Sequence, residues 1–123
     1  MNLALVFLGG GIGAVARYVL QGLVYRFLPA SFPYGTVAVN IVGSFLIGFL
    51  MSAFEDRFLV SPELRIFLTV GVLGGFTTFS SFSYETLMIL REGSYILSLI
   101  NIAANVILCL IAAWLGSALG KLV

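Results

Sequence analysis

The sequence predicts an all-α membrane protein of four closely spaced transmembrane helices, forming one domain over residues 1–123. Composition gives the first reason. Hydrophobic residues make up 61% of the chain and mean hydropathy is +1.17. Only 9% of residues are charged, where a soluble domain carries about a quarter. Six basic and five acidic side chains cannot cover a water-facing surface, so most of the surface must face lipid. The second reason is punctuation: charges and turn residues cut the chain into four apolar stretches. Each is long enough for the roughly 20 residues that a membrane crossing needs.

The first helix is expected over about residues 3–27, with Arg17 inside it. Leu28-Pro29-Ala30-Ser31-Phe32-Pro33 then makes a turn. A second helix runs from about Tyr34 to Phe54 without a charge, and Glu55-Asp56-Arg57 marks return to water. Ser61-Pro62-Glu63 has the grammar of a helix start: a capping hydroxyl, proline in the first turn, and an acid at the positive dipole end. The third helix continues to about Leu90. Its middle, Gly74-Gly75-Phe76-Thr77-Thr78-Phe79-Ser80, is poor helix material and predicts a break near Gly74–Thr78. After Arg91-Glu92-Gly93, a fourth, charge-free helix spans about residues 94–120 and ends at Lys121.

Several function classes drop out early. A net charge of +1 gives no case for nucleic-acid binding. With Cys109 as the single cysteine and no histidine, neither an intrachain disulfide nor a Cys/His zinc site can form. Met1-Asn2-Leu3 lacks the basic start of a signal peptide, so the first apolar segment is expected to stay in the mature protein. The run Gly9-Gly10-Gly11-Ile12-Gly13-Ala14 imitates a dinucleotide fingerprint, but that site needs an acid about 20 residues on. The first acid is Glu55, so the imitation fails. Gly9 and Gly13 instead read as a small-xxx-small pair for close helix approach.

Topology is nearly unbiased. Four helices put both termini on one side, with Arg57, Arg65 and Lys121; Arg26 and Arg91 lie on the other. Three against two barely orients the chain by the positive-inside rule. One residue or an unseen partner could decide, or copies could insert both ways and pair antiparallel.

Two helices carry polar stripes. In the second, Thr36, Asn40, Ser44, Gly48 and Ser52 recur at steps of four. In the fourth, Ser94, Ser98, Asn101, Asn105 and Cys109 lead to Gly116 and Gly120. Such stripes serve as packing glue or as the lining of a permeation path. Asn40 weighs against glue alone, because a buried amide must satisfy two donors and an acceptor. Arg17 and Glu85 are ionisable groups inside spans, each costing at least ~3 kcal/mol at the centre of an isolated helix. They read as an ion pair or as snorkelling groups. Alternatively, Arg17 lies in an aqueous vestibule and concentrates anions. Phe79 and Phe82, three apart, share a face amid hydroxyls beside the expected break; Thr78, Ser81 and Glu85 occupy the neighbouring face. Irregular backbone at membrane depth survives only where protein or water satisfies it, which points this segment inward.

The run Gly74 to Ser83 with Glu85 closely resembles the bacterial CrcB/Fluc fluoride channels. Gly35-Thr36-Val37-Ala38-Val39-Asn40 matches that family's second helix, and Gly9 to Gly13 with Ala16-Arg17-Tyr18 its first. The resemblance covers the whole chain. It implies a fluoride-selective channel rather than an enzyme, passively exporting fluoride across a bacterial or archaeal cytoplasmic membrane to lower its toxicity. It implies an antiparallel, dual-topology homodimer with two pores. By motif match it makes Phe79 and Phe82 the pore phenylalanines, Asn40 the second-helix amide on the ion path and Arg17 the vestibule arginine. Gly74 and Thr77 match the break whose backbone carbonyls hold a structural sodium ion between subunits. Thr78, Ser81 and Glu85 would continue the polar route. In the fourth helix, where relatives often carry tyrosine and serines, this chain aligns Asn101, Asn105 and Cys109. Two other classes share the bulk features. A small dual-topology multidrug exporter would need an acid in the first helix, where this chain has Arg17; a non-conducting assembly subunit would show no ion flux.

Overall fold

The computed structural model describes residues 2–56 and 60–123. Arg57, counted above in the basic tally, and Met1 lie outside the described residues. Four helices are long and apolar enough to cross a membrane: Asn2–Phe27, Tyr34–Glu55, Pro62–Arg91 and Tyr95–Leu122. No strand occurs among the described residues. The chain is a multi-pass membrane protein, and most large apolar side chains of the first and fourth spans are exposed where lipid would lie.

The first span is one uninterrupted helix. Its only buried residues are Gly9 and Gly13, and they set how it packs. A Cβ at Gly9 would lie 2.9 Å from Gly71 Cα, and one at Gly75 would lie 3.0 Å from Gly10 Cα. First and third spans therefore touch backbone to backbone, which only glycine permits. Ser61 caps the start of the third span by accepting from the Leu64 N–H at 3.1 Å, with Pro62 in the first turn. It begins as α-helix over Pro62–Ile66 and widens to π-helix over Phe67–Leu73. A short α-helical turn, Gly74–Phe76, follows.

Thr77 and Thr78 are extended, with ψ of 158° and 110°. Helix resumes over Phe79–Arg91. Thr78 caps the resumed helix, its Oγ1 accepting from the Ser81 N–H at 3.2 Å. The fourth span is α-helical over Tyr95–Ala103, π-helical over Ala104–Leu108 and α-helical again over Cys109–Leu122. Gly93, with φ of 82°, makes the tight turn before it.

The second and fourth spans form the most extensive contact in the bundle. Here the two stripes divide. The halves holding Gly48, Gly116 and Gly120 are packing surfaces, since a Cβ at each would strike the backbone of the facing helix. Ser52 and Ser117 close that seam with a 2.6 Å hydrogen bond. The halves holding Asn40, Asn101 and Asn105 are different and belong to the site.

Candidate functional site: a polar junction at mid-span

The junction starts from one backbone group. In an unbroken helix the Thr78 N–H would donate to the Gly74 carbonyl. It donates instead to Asn40 Oδ1 at 2.9 Å. Asn40 Nδ2 returns a bond to the Thr78 carbonyl at 3.1 Å. One side chain of the second helix thus replaces a missing turn of the third. Gly43, one turn along from Asn40, lets the second helix come this close: a Cβ there would strike the Thr77 side chain.

The same substitution of partners releases two carbonyls. Thr78 N–H is diverted from Gly74 by Asn40. Ser81 N–H is diverted from Thr77 by the Thr78 hydroxyl. Both carbonyl oxygens thereby lose the donor four residues on, and Gly74 is exposed. Neutral oxygens freed in this way suit a hard cation such as sodium. The described residues contain no cluster of three or more His, Cys, Asp or Glu that could hold a metal.

Asn40 Nδ2 also donates to Asn105 Oδ1 at 2.9 Å. Asn105 Nδ2 in turn donates to Asn101, to its backbone O at 3.0 Å and its Oδ1 at 3.1 Å. Asn101 Nδ2 donates to Thr86 Oγ1 at 2.9 Å, and Thr86 Oγ1 to the Phe82 carbonyl at 2.7 Å. Asn101 is 0% and Asn105 6% exposed. Such burial is tolerable because each amide is paired. The chain of bonds ties the second helix, through the fourth, to the helix that carries the phenylalanines.

Phe79 and Phe82 meet edge to face, with centroids 5.2 Å apart and planes at 62°. Phe82 is buried at 8% exposure, whereas Phe79 is 76% exposed. Both line an open-sided cavity of about 520 Å³. Asn40, Thr78, Asn105, Cys109, Gly74 and Thr77 line it too. Eight of the residues that the family resemblance assigns a role therefore surround one space, with Ser44 of the second-helix stripe beside them. Ser81, Glu85, Asn101 and Arg17 are not on its wall.

Those four have other placements. The Ser81 hydroxyl accepts from Thr78 Oγ1 at 3.0 Å. Glu85 Oε1 is buried without a hydrogen-bond partner among the described residues. Arg17 Nε donates to the Gly75 carbonyl at 3.2 Å, so the guanidinium caps the turn that precedes the break. A cation there also suits the negative end of a helix segment.

Comparison with known proteins gives matches along nearly the full chain. Residues 4–117 match the family described as CrcB-like protein, Camphor Resistance (CrcB). The chain belongs to the CrcB family. A relative from Magnetococcus marinus is 50% identical over 123 residues, covering 100% of both chains. Relatives from Geobacter metallireducens and Geobacter sulfurreducens are 48% and 51% identical, covering 94% and 87% of this chain and 94% and 86% of their own. All three bear the name fluoride-specific ion channel FluC.

Two features of this CrcB chain were missed in the sequence. Thr86 is the node joining Asn101 to the third helix; its signal was its place four residues after Phe82, where a hydroxyl can reach back to the i−4 carbonyl. Gln21 donates to Thr36 Oγ1 at 3.4 Å, one turn beyond Arg17 on the same face.

Proposed function

We propose that this chain is a fluoride-selective channel that lets fluoride leave the cell passively. One observation carries the reading: relatives named as fluoride-specific channels match it end to end at about half identity. The geometry supports it physically. Taking even a carboxylate-sized anion out of water costs on the order of 20 kcal/mol, and fluoride is smaller. A conducting path must replace that hydration. Phenylalanine presents a positive ring edge, and Phe79 and Phe82 place two rings beside amides and hydroxyls on one wall.

The functional unit in this reading is an antiparallel homodimer. A cavity open at its side, with Phe79 exposed at its edge, is half a conduit, and a second copy would complete it. The three-to-two basic count, which barely orients the chain, is compatible with inverted copies. The carbonyls of Gly74 and Thr77 would hold a structural sodium ion between the copies, its charge fixing their spacing. Asn40, Thr78, Asn105 and Cys109 line the route, with Ser81 and Glu85 beyond it and Arg17 drawing anions to the vestibule.

The test is fluoride efflux from liposomes containing only this purified chain. Efflux should proceed with neither ATP nor a proton gradient, and strict dependence on either would sink the proposal. Cysteines introduced near Arg26 and Lys121, with Cys109 replaced, should each label from both sides of the membrane. Labelling from one side alone would remove dual topology while leaving conduction intact.

A further inference from the structure

The amide chain has a fixed polarity, and this bears on what Asn40 can offer an anion. A backbone N–H can only donate, so the Thr78 N–H forces Asn40 Oδ1 toward it. Asn40 Nδ2 must then face the Thr78 carbonyl and Asn105 Oδ1. That orientation makes the Asn105 oxygen an acceptor and turns both its N–H groups onto Asn101. Asn40 and Asn105 therefore spend all four amide protons on the protein. Beside the cavity that both residues line, neither has a donor to spare.

We infer that Asn105 is a positioning residue that holds the Asn40 amide in reserve. An anion in the cavity obtains an Asn40 N–H only by displacing Asn105 Oδ1. The bond to Thr78 is the weaker candidate for release, because Asn40 is tied to that residue at both ends, through Oδ1 and Nδ2. Asn105 thus sets how much fluoride is needed to recruit Asn40. It keeps the donor satisfied when the site is empty, since an unpaired buried N–H is costly. This inference rests on the fluoride-channel reading.

Asn105→Leu keeps bulk but removes the competing acceptor, and Asn105→Ser shortens the side chain out of reach. Purified protein would be unfolded thermally in sodium fluoride against sodium chloride at equal ionic strength. In chloride both variants should unfold at lower temperature than the parent. The fluoride concentration giving half of the fluoride-specific stabilisation should fall roughly fivefold, the weight of one net hydrogen bond. A residue that only supports the fold would lower stability and leave that concentration unchanged. An unchanged value overturns the inference, and a raised one makes Asn105 a direct donor to the anion.

Should neither variant fold, the parent protein carries the test. The chain has four asparagines, Asn2, Asn40, Asn101 and Asn105, so 15N-asparagine labelling gives a sparse side-chain spectrum. Sodium fluoride should move the Nδ2 signals of Asn40 and Asn105 together; movement of neither, or of Asn40 alone, overturns the inference. Liposome efflux by the parent separates the two failures. Efflux present with no effect at Asn105 removes only the positioning role, and efflux absent removes the channel reading itself.

Discussion

The third span meets its neighbours in two ways that share almost no chemistry. Against the first span it packs mainly through glycine: Gly9 lies on Gly71, Gly10 on Gly75 and Gly13 on the Val72 and Phe76 backbone, with the Arg17 side chain adding a bond to the Gly75 carbonyl. Against the second span it has lost its own hydrogen bonds and regains them from Asn40. The first junction is dry and intolerant of volume. The second is polar and intolerant of an unpaired group. In lipid, apolar contact between helices gains little from water exclusion, so close packing and internal hydrogen bonding are the two means available. This chain uses one on each side of the same helix, which frees the residues between them to face a cavity.

The largest effect is expected at the dry junction. A Cβ at Gly13 would fall on the Val72 carbonyl, with the Phe76 N 2.8 Å away. Both are backbone atoms in helices and cannot step aside. Gly13→Val should therefore cost about 3 kcal/mol or more, the upper range of overpacking. It should lower the thermal unfolding temperature sharply or abolish a monodisperse peak in gel filtration. Gly11→Ala is the control, because nothing lies within 4 Å of a Cβ there. Equal behaviour of the two would show that the glycine contact is not what joins these spans.

Next come the rings at the cavity. Phe79→Leu and Phe82→Leu keep most of the bulk, and volume-conserving apolar swaps usually cost less than about 1.5 kcal/mol. Leucine lacks the aromatic quadrupole. Both variants should fold and assemble, yet lose about tenfold or more of the fluoride efflux per reconstituted protein, or ~1.4 kcal/mol in barrier terms. Phe76→Leu is the control, being buried and absent from the cavity wall. Near-normal efflux from both cavity variants would make the rings structural.

A smaller effect is expected where the polar junction restarts the helix. Thr78→Val is nearly isosteric and removes the acceptor that caps the Ser81 N–H. Loss of such a cap costs about 1 kcal/mol, and Thr78→Ser should restore it. The measurement is thermal unfolding in detergent; no difference between Val and Ser would show that the cap contributes nothing.

The two junctions differed in how far the sequence revealed them. The four spans were legible from charge placement and apolar length, because lipid imposes both. The cap at Ser61 was legible because it is local. Gly9 and Gly13 announced a close approach, but their partner was open, since spacing along one helix says nothing about which helix faces it. The polar junction was legible as composition, with hydroxyls and an amide in apolar spans, but not as connectivity. Asn40 takes over the Thr78 N–H across 38 residues, and Asn101 reaches Thr86 across 15. Such pairings are set by tertiary placement. The fourth-helix stripe passes from polar to small residues along the sequence, and that division has a structural counterpart: its glycines pack against the second helix and its asparagines join the polar junction.

That division of the stripes can be sharpened by the smallest effect expected here. Ser52 and Ser117 join the seam by a 2.6 Å hydrogen bond, amid glycines whose facing backbones hold the helices together. If packing dominates the seam, the bond is an accessory. Interhelical hydrogen bonds in membranes contribute about 0.6 kcal/mol on average and about 1.7 at most. A serine left alone on a helix can also turn its hydroxyl to its own i−4 carbonyl, so it is not stranded. Ser52→Ala and Ser117→Ala, alone and together, form a double-mutant cycle. The coupling read from unfolding should be near 0.6 kcal/mol, well below the cost at Gly13, and fluoride efflux should be unchanged in all three variants. Coupling above about 1.7 kcal/mol would place the seam with the polar junction instead. The contrast between a volume-limited and a hydrogen-bond-limited face would then apply only to the first and third spans.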